Sequence, residues 1–173
     1  MNRKRFSLSL AGAMALTIAL AMLVSACGFQ LRGVPNFAFS SIHIAAAASS
    51  PLALELKRNI ASSGNVRVVE PAAAATAQVV LDVLTDQREK VVVGLNASGQ
   101  VREFQLRSRL KFKLRTPAGK ELIPETELLQ QRDISFSESA ALSKESEEGL
   151  LYRNMQSDLV RQLMRRLAAV DAL

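Results

Sequence analysis

Cysteine and histidine are nearly absent: the 173 residues hold one of each, with one tyrosine and no tryptophan. A lone cysteine, Cys27, cannot close an intramolecular disulfide or build a cysteine metal cluster. A lone histidine, His43, leaves no second imidazole for a metal site and no material for a histidine-based triad. There is also no serine-centred nucleophile motif and no glycine-rich phosphate loop. No catalytic residue, no metal and no cofactor are therefore expected. Charge of one sign is not in great excess, with 22 Lys and Arg against 16 Asp and Glu. If Arg3, Lys4 and Arg5 leave with a signal segment, 19 bases face 16 acids and the balance is +3. That is too little to argue for nucleic acid, so what matters is where the positive charge clusters.

What is present begins with Arg3-Lys4-Arg5 and an almost wholly apolar or small run from Leu8 to Val24. It ends in Leu23-Val24-Ser25-Ala26-Cys27-Gly28, small residues leading to the one cysteine. This pattern resembles the bacterial lipobox, in which the thiol receives diacylglycerol and the freed amine a third acyl chain. Residues 1–26 are accordingly read as a lipoprotein signal peptide and set aside from fold reasoning. Cys27 is the expected lipid attachment site, and two or more acyl chains suffice for stable anchoring. Gly28 follows, where an aspartate would signal inner-membrane retention, so the expected destination is the outer membrane. Residues 27–40, with Pro35, Asn36 and two aromatics expected to be exposed (Phe37 and Phe39), read as a tether. Residues 41–173 read as one domain, long enough for a core of its own.

In that domain Ser41–Ala45 reads as a short strand, with His43 on its less buried face. Ser50 and Pro51 open a helix, Leu52, Leu56 and Ile60 form its apolar stripe, and Gly64 suits a left-handed stop. Val66–Val69 is at most a short extended piece. Three long stretches of period two follow, 78–93, 101–115 and 122–136, separated by Asn96-Ala97-Ser98-Gly99 and Thr116-Pro117-Ala118-Gly119. The middle one alternates Phe104, Leu106, Leu110, Phe112 and Leu114 with Arg107, Arg109, Lys111, Lys113 and Arg115. One apolar and one charged face predict an antiparallel meander covered on a single side. Leu151, Met155, Leu159, Leu163 and Leu167 then step by four along a final helix between residues 140 and 170. Acids at its start and Arg161, Arg165 and Arg166 at its end favour the helix dipole. The expected fold is an α+β two-layer sandwich, β-α-β-β-β-α, with two helices on one face of a mostly antiparallel four-stranded sheet.

Taken together, Cys27-Gly28-Phe29-x-Leu31-Arg32, this element order, Ala141-Leu142-x-Lys144, Met155, and Gln162-Leu163-x-Arg165-Arg166-Leu167 resemble the lipopolysaccharide-assembly lipoprotein family, LptE. The resemblance implies a non-enzymatic outer-membrane lipoprotein that plugs and helps assemble the β-barrel LptD, sits on the periplasmic side and in the barrel lumen, and binds lipopolysaccharide. The alternative is a structural or chaperone-like lipoprotein, such as a pilotin, for another envelope machine.

Lipopolysaccharide is an anionic amphiphile, so a site for it needs bases without acidic partners. Antiparallel pairing across the 116–120 turn sets Arg115 against Glu121, Lys111 against Glu125 and Arg109 against Glu127, a charge ladder that consumes much of the basic row. Matching apolar faces pairs Asp82 with Lys113, Asp86 with Arg109, Arg88 with Arg107 and Lys90 with Gln105. This leaves Arg88, Lys90 and Arg102 near the 94–99 turn, where the last helix also brings Lys144. The family's pattern has a basic residue in this turn and a lysine at the position of Lys144. Here the turn holds Asn96-Ala97-Ser98, and Arg102 stands in for the base. Lys144, Arg102, Lys90 and Arg88 are therefore the candidate lipopolysaccharide-binding residues, the bland alternative being a solvated rim.

Overall fold

A computed structural model describes residues 35–172, so Cys27 and the segment before it lie outside the described residues. The elements run β1 (Ser41–Ala45), α1 (Pro51–Ser62), β2 (Arg67–Val69), β3 (Val79–Leu95), β4 (Val101–Arg115), β5 (Glu121–Ser135) and α2 (Ala141–Ala168). They form one five-stranded sheet in the order β2-β1-β3-β4-β5. The expected four-stranded, mostly antiparallel sheet is thus corrected to five strands and a mixed pattern, because β1 pairs in parallel with both β2 and β3. The physical reason lies in α1. A helix between two extended pieces is a crossover, and a crossover returns the chain parallel to where it left.

α1 starts as its residues dictate. The Ser50 hydroxyl accepts from the Ala53 N–H at 3.1 Å, and Pro51 takes the first helical position. Gly64, at φ +74°, supplies the left-handed turn that leads to β2. His43 is less buried than Ile42 and Ile44, as expected, yet still buried, and its Nδ1 lies 2.9 Å from the Val69 carbonyl, tying β1 to β2. Phe37 and Phe39, expected to be exposed, are instead buried in the core with their rings 5.3 Å apart. Their apolar surface supplies a face of the core that β1 is too short to cover.

Both helices pack on one face of the sheet. The main core joins Leu52, Leu56 and Ile60 of α1, Leu159, Leu163 and Leu167 of α2, and Ile42, Ile44, Leu81, Leu110, Phe112 and Leu114 of the strands. All of this lies at one end of the sheet, the base. A second, smaller cluster of Leu106, Ile134 and Met155 lies farther along β4, with Phe104, Leu151 and Tyr152 against it. Between the two, Ser108 is buried with a hydroxyl that makes no hydrogen bond.

Two irregularities set the register. β3 pairs with β4 as Asp82 with Lys113 and Val83 with Phe112, but Leu84 is skipped, so that Thr85 meets Lys111. Beyond this bulge the expected pairs move by one: Asp86 faces Leu110, Arg88 faces Ser108 and Lys90 faces Leu106. β5 likewise shifts twice around Pro124, from Arg115 opposite Glu121 to Lys111 opposite Glu127 and Arg109 opposite Leu129. Proline has no N–H to give a ladder, so a break at that position is natural.

β1 accompanies β3 only from Val79 to Asp82, while β3 continues to Leu95. At about 3.3 Å per residue, β3 spans roughly 50 Å. Its far half, with β4, β5 and the start of α2, forms the tip of the molecule.

Candidate functional site

At the tip, β5 ends opposite the beginning of β4. Ser135 pairs with Glu103, and the Phe136 N–H donates to the Arg102 carbonyl at 2.7 Å. A short turn, Glu138–Ala140, then sends α2 back across the sheet. A cleft of about 310 Å³ opens between the first turns of α2 and the strands. Ile134, Phe136 and Phe104 line it, with the two aromatic rings edge to face at 5.3 Å. Lys90 and Lys144 line it too, and the Lys90 ammonium lies 4.3 Å from the centre of the Phe104 ring. A cation on an aromatic face above an apolar floor presents positive charge and apolar surface together.

The structure brings only two of the four candidate bases into this cleft, Lys90 and Lys144. Arg102, on β4 two residues before Phe104, is exposed beside the cleft without lining it, and makes no ion pair among the described residues. Arg88 turns along the sheet instead, donating to Gln156 at 2.7 Å with its guanidinium 5.4 Å from the Tyr152 ring centre. The expectation that these bases lack acidic partners is corrected for two of them. Lys90 pairs with Glu148 at 2.6 Å, and Lys144 pairs with Glu147 at 2.9 Å while also donating to Ser135 at 3.0 Å. For Lys90 the reason is the crossing of α2, whereas Lys144 and Glu147 are simply three apart on one helix. Register arguments between strands cannot see acids that a helix lays over them. Nor do these acids serve the dipole as expected, because the first turn of α2 contains none and the dipole effect fades within a turn.

Next to the cleft, the Tyr152 hydroxyl donates to the Glu89 carbonyl at 2.7 Å, on a stretch of β3 that β1 does not reach. Burial first, and then Glu148, push the Tyr152 phenol above its usual range, so it stays protonated and keeps donating. Gln156 links Arg88 to Glu55 of α1, and Ser157 donates to the same carboxylate. This polar seam marks where the two-helix cover ends.

The basic row on the opposite face behaves as a ladder. Arg109 pairs with Glu127 at 2.7 Å, and Lys111 lies 3.6 Å from Glu127 and 3.9 Å from Glu125. The β5 bulge moved the backbone partners, yet the long side chains reach diagonally and restore the contacts. Arg115 is the exception: it joins Asp82 at 2.7 Å rather than Glu121. The Asp82 hydrogen bond raises the Arg115 pKa, against a smaller desolvation effect.

Phe104, Phe136, Glu147, Glu148 and Tyr152 escaped the reading of the sequence as parts of a site. The available signal was the spacing of Lys144 and Glu147, three apart on one helix.

A one-sided α+β sandwich with a long antiparallel ribbon is an architecture found in bacterial lipoproteins. Uncharacterized lipoprotein B from Nitrosomonas europaea is similar at a TM-score of 0.70 and 33% identity, over 82% of this chain and 91% of that one. Rare lipoprotein B from Shewanella oneidensis (TM-score 0.62, 23% identity, 75% and 95% covered) shares the fold. So does a minor lipoprotein from Acinetobacter baumannii (TM-score 0.61, 17% identity, 78% and 94% covered). No curated protein sequence matches the chain. The family model described as LptE, lipopolysaccharide-assembly, matches residues 34–167, and the chain belongs to that family.

Proposed function

We propose that this chain is an outer-membrane lipoprotein that partners the LptD β-barrel, within whose lumen it sits, and that it binds lipopolysaccharide at the tip. Family membership supports a role in lipopolysaccharide assembly. The observation that carries the binding reading is that Lys90 and Lys144 stand together over the Phe104–Phe136 floor. Ammonium groups match sugar phosphates, and the aromatic floor matches an acyl chain. Lys144 and Lys90 contact the headgroup directly. Arg102, exposed beside the cleft, adds to the local field, while Arg88 acts at one remove through Gln156 and Tyr152. No group is assigned a covalent step.

The anchor is the acylated Cys27, with residues 1–26 removed; of the 27–40 stretch expected as a tether, Phe37 and Phe39 belong to the core. Mass spectrometry of the mature chain should find an acylated Cys27 terminus, and an intact Met1 terminus would exclude this anchoring.

The binding test uses the full chain in mild detergent. Lys144→Asp combined with Arg102→Asp should lower lipopolysaccharide capture about tenfold or more, with wild-type circular dichroism. Exposed charges are screened by salt, so the wild type should also lose affinity as salt rises. Capture equal to wild type would leave the tip a solvated rim. A tagged chain should co-purify a large β-barrel, whereas a secretin ring in its place would favour the pilotin reading.

A further inference from the structure

The two cleft lysines also hold α2 to the sheet. Lys90 of β3 reaches Glu148 of α2, and Lys144 of α2 reaches Ser135 of β5 while pairing with Glu147. Little else fastens this part of the helix. Its N-cap, Ala140, makes no side-chain cap, and no side chain of α2 before Met155 is fully buried. Leu142 is 83% exposed. Gly149 interrupts the same stretch with a residue that disfavours helix. Beneath these turns lie Phe104, Ile134 and Phe136, the apolar part of the cleft.

We propose that Glu148, assisted by Glu147, is a resident counter-anion of the cleft, and that a phosphate-bearing amphiphile displaces it and thereby unlatches the first turns of α2 from the aromatic floor. This inference rests on the reading of the cleft as a lipopolysaccharide site and names how that site is gated.

A phosphate monoester carries about −1.5 to −2 charge against −1 for a carboxylate, so it competes well for an exposed ammonium. When it takes Lys90 and Lys144, both clasps between helix and sheet are lost together. The floor is then uncovered, and an acyl chain on the same ligand covers it again. A phosphate without a chain leaves the floor bare, and a chain without phosphate leaves the clasps shut. Binding therefore demands both halves of the ligand, which is a selectivity for amphiphiles that neither lysine could provide alone.

The test titrates lipopolysaccharide into the full chain in mild detergent and follows backbone hydrogen exchange over residues 141–150. Glu148→Gln keeps the shape of the side chain and removes the competing charge. Because an exposed ion pair is worth little, it should tighten binding about two- to fivefold. Glu147→Gln/Glu148→Gln should tighten it further. Glu121→Gln makes the same charge change at the far end of the sheet and should bind as wild type. Exchange over 141–150 should rise when lipopolysaccharide is added to wild type, and should already be raised in Glu148→Gln without ligand. Inorganic phosphate alone should leave that exchange unchanged; if it opens the helix start, the recognised ligand is free phosphate and the amphiphile claim is overturned. Wild type that fails to bind lipopolysaccharide at all would overturn the underlying reading of the cleft. Wild type that binds, with Glu148→Gln no different from Glu121→Gln, would overturn the counter-anion and leave that reading standing.

Discussion

The base and the tip of the sheet cover the same apolar face by unequal means. At the base, α1 and α2 lie side by side over β1, β3 and β4, and Phe112, Leu114, Ile42 and Leu56 are fully enclosed. At the tip a single helix start crosses the ribbon, the buried cluster shrinks to Leu106, Ile134 and Met155, and Val92, Val93 and Leu95 stay exposed. Polar contacts follow the same division. The ladder of Arg109, Lys111 and Glu127 joins strand to strand, whereas Lys90–Glu148 joins strand to helix across an open cleft. The difference teaches where this fold keeps its stability and where it keeps its freedom. Elements that move on binding come from the weakly packed end, because only they open at small cost.

The largest effect should come from the base. Leu163→Ala removes a fully buried side chain from the main core and should cost about 3–5 kcal/mol, against about 2–3 for Met155→Ala in the smaller cluster. Chemical denaturation of both variants checks this, and equal losses would erase the distinction between the ends. Ser108→Ala, at the boundary, removes a buried hydroxyl without a partner and should raise stability by about 1 kcal/mol. A drop in melting temperature would mean that the hydroxyl is satisfied in solution. The smallest effect should be Lys111→Glu, which sets like charges beside Glu125 and Glu127. It should cost up to about 1 kcal/mol and leave lipopolysaccharide capture near normal, the reverse of the Lys144 and Arg102 pair. Weakened capture by Lys111→Glu would bring the ladder face into the site.

Much of this was legible from residue order. The Ser50 cap, the glycine stop at Gly64, the two hairpin turns and the leucine stripe of α2 appear where local chemistry calls for them. So does the pairing of Asp82 with Lys113. The pairings beyond Leu84 were not legible, because alternation in a sequence does not reveal where one residue is left unpaired. β2 reads only as a short extended piece: three residues carry too little pattern to show that they pair in parallel with β1. The burial of Phe37 and Phe39 is not legible, because a segment beside Pro35 looks like a linker until the sheet that needs covering is known.

The sequence by itself determined what was local or periodic: which segments are helix or strand, which face of each is apolar, and that acids stand near the bases of the middle strand. Lys144 and Glu147 sit a turn apart on one helix, but tertiary structure alone decided that Lys90 is spoken for. Lys90 and Glu148 are 58 positions apart, and Lys90 and Phe104 belong to facing strands whose register depends on a single skipped residue. Whether a lysine is free to meet a ligand is set within a few ångströms by whatever packs against it, because a charge–charge contact falls off with distance and with the water admitted between the partners. For Lys90 no pattern within one strand or one helix contains that distance.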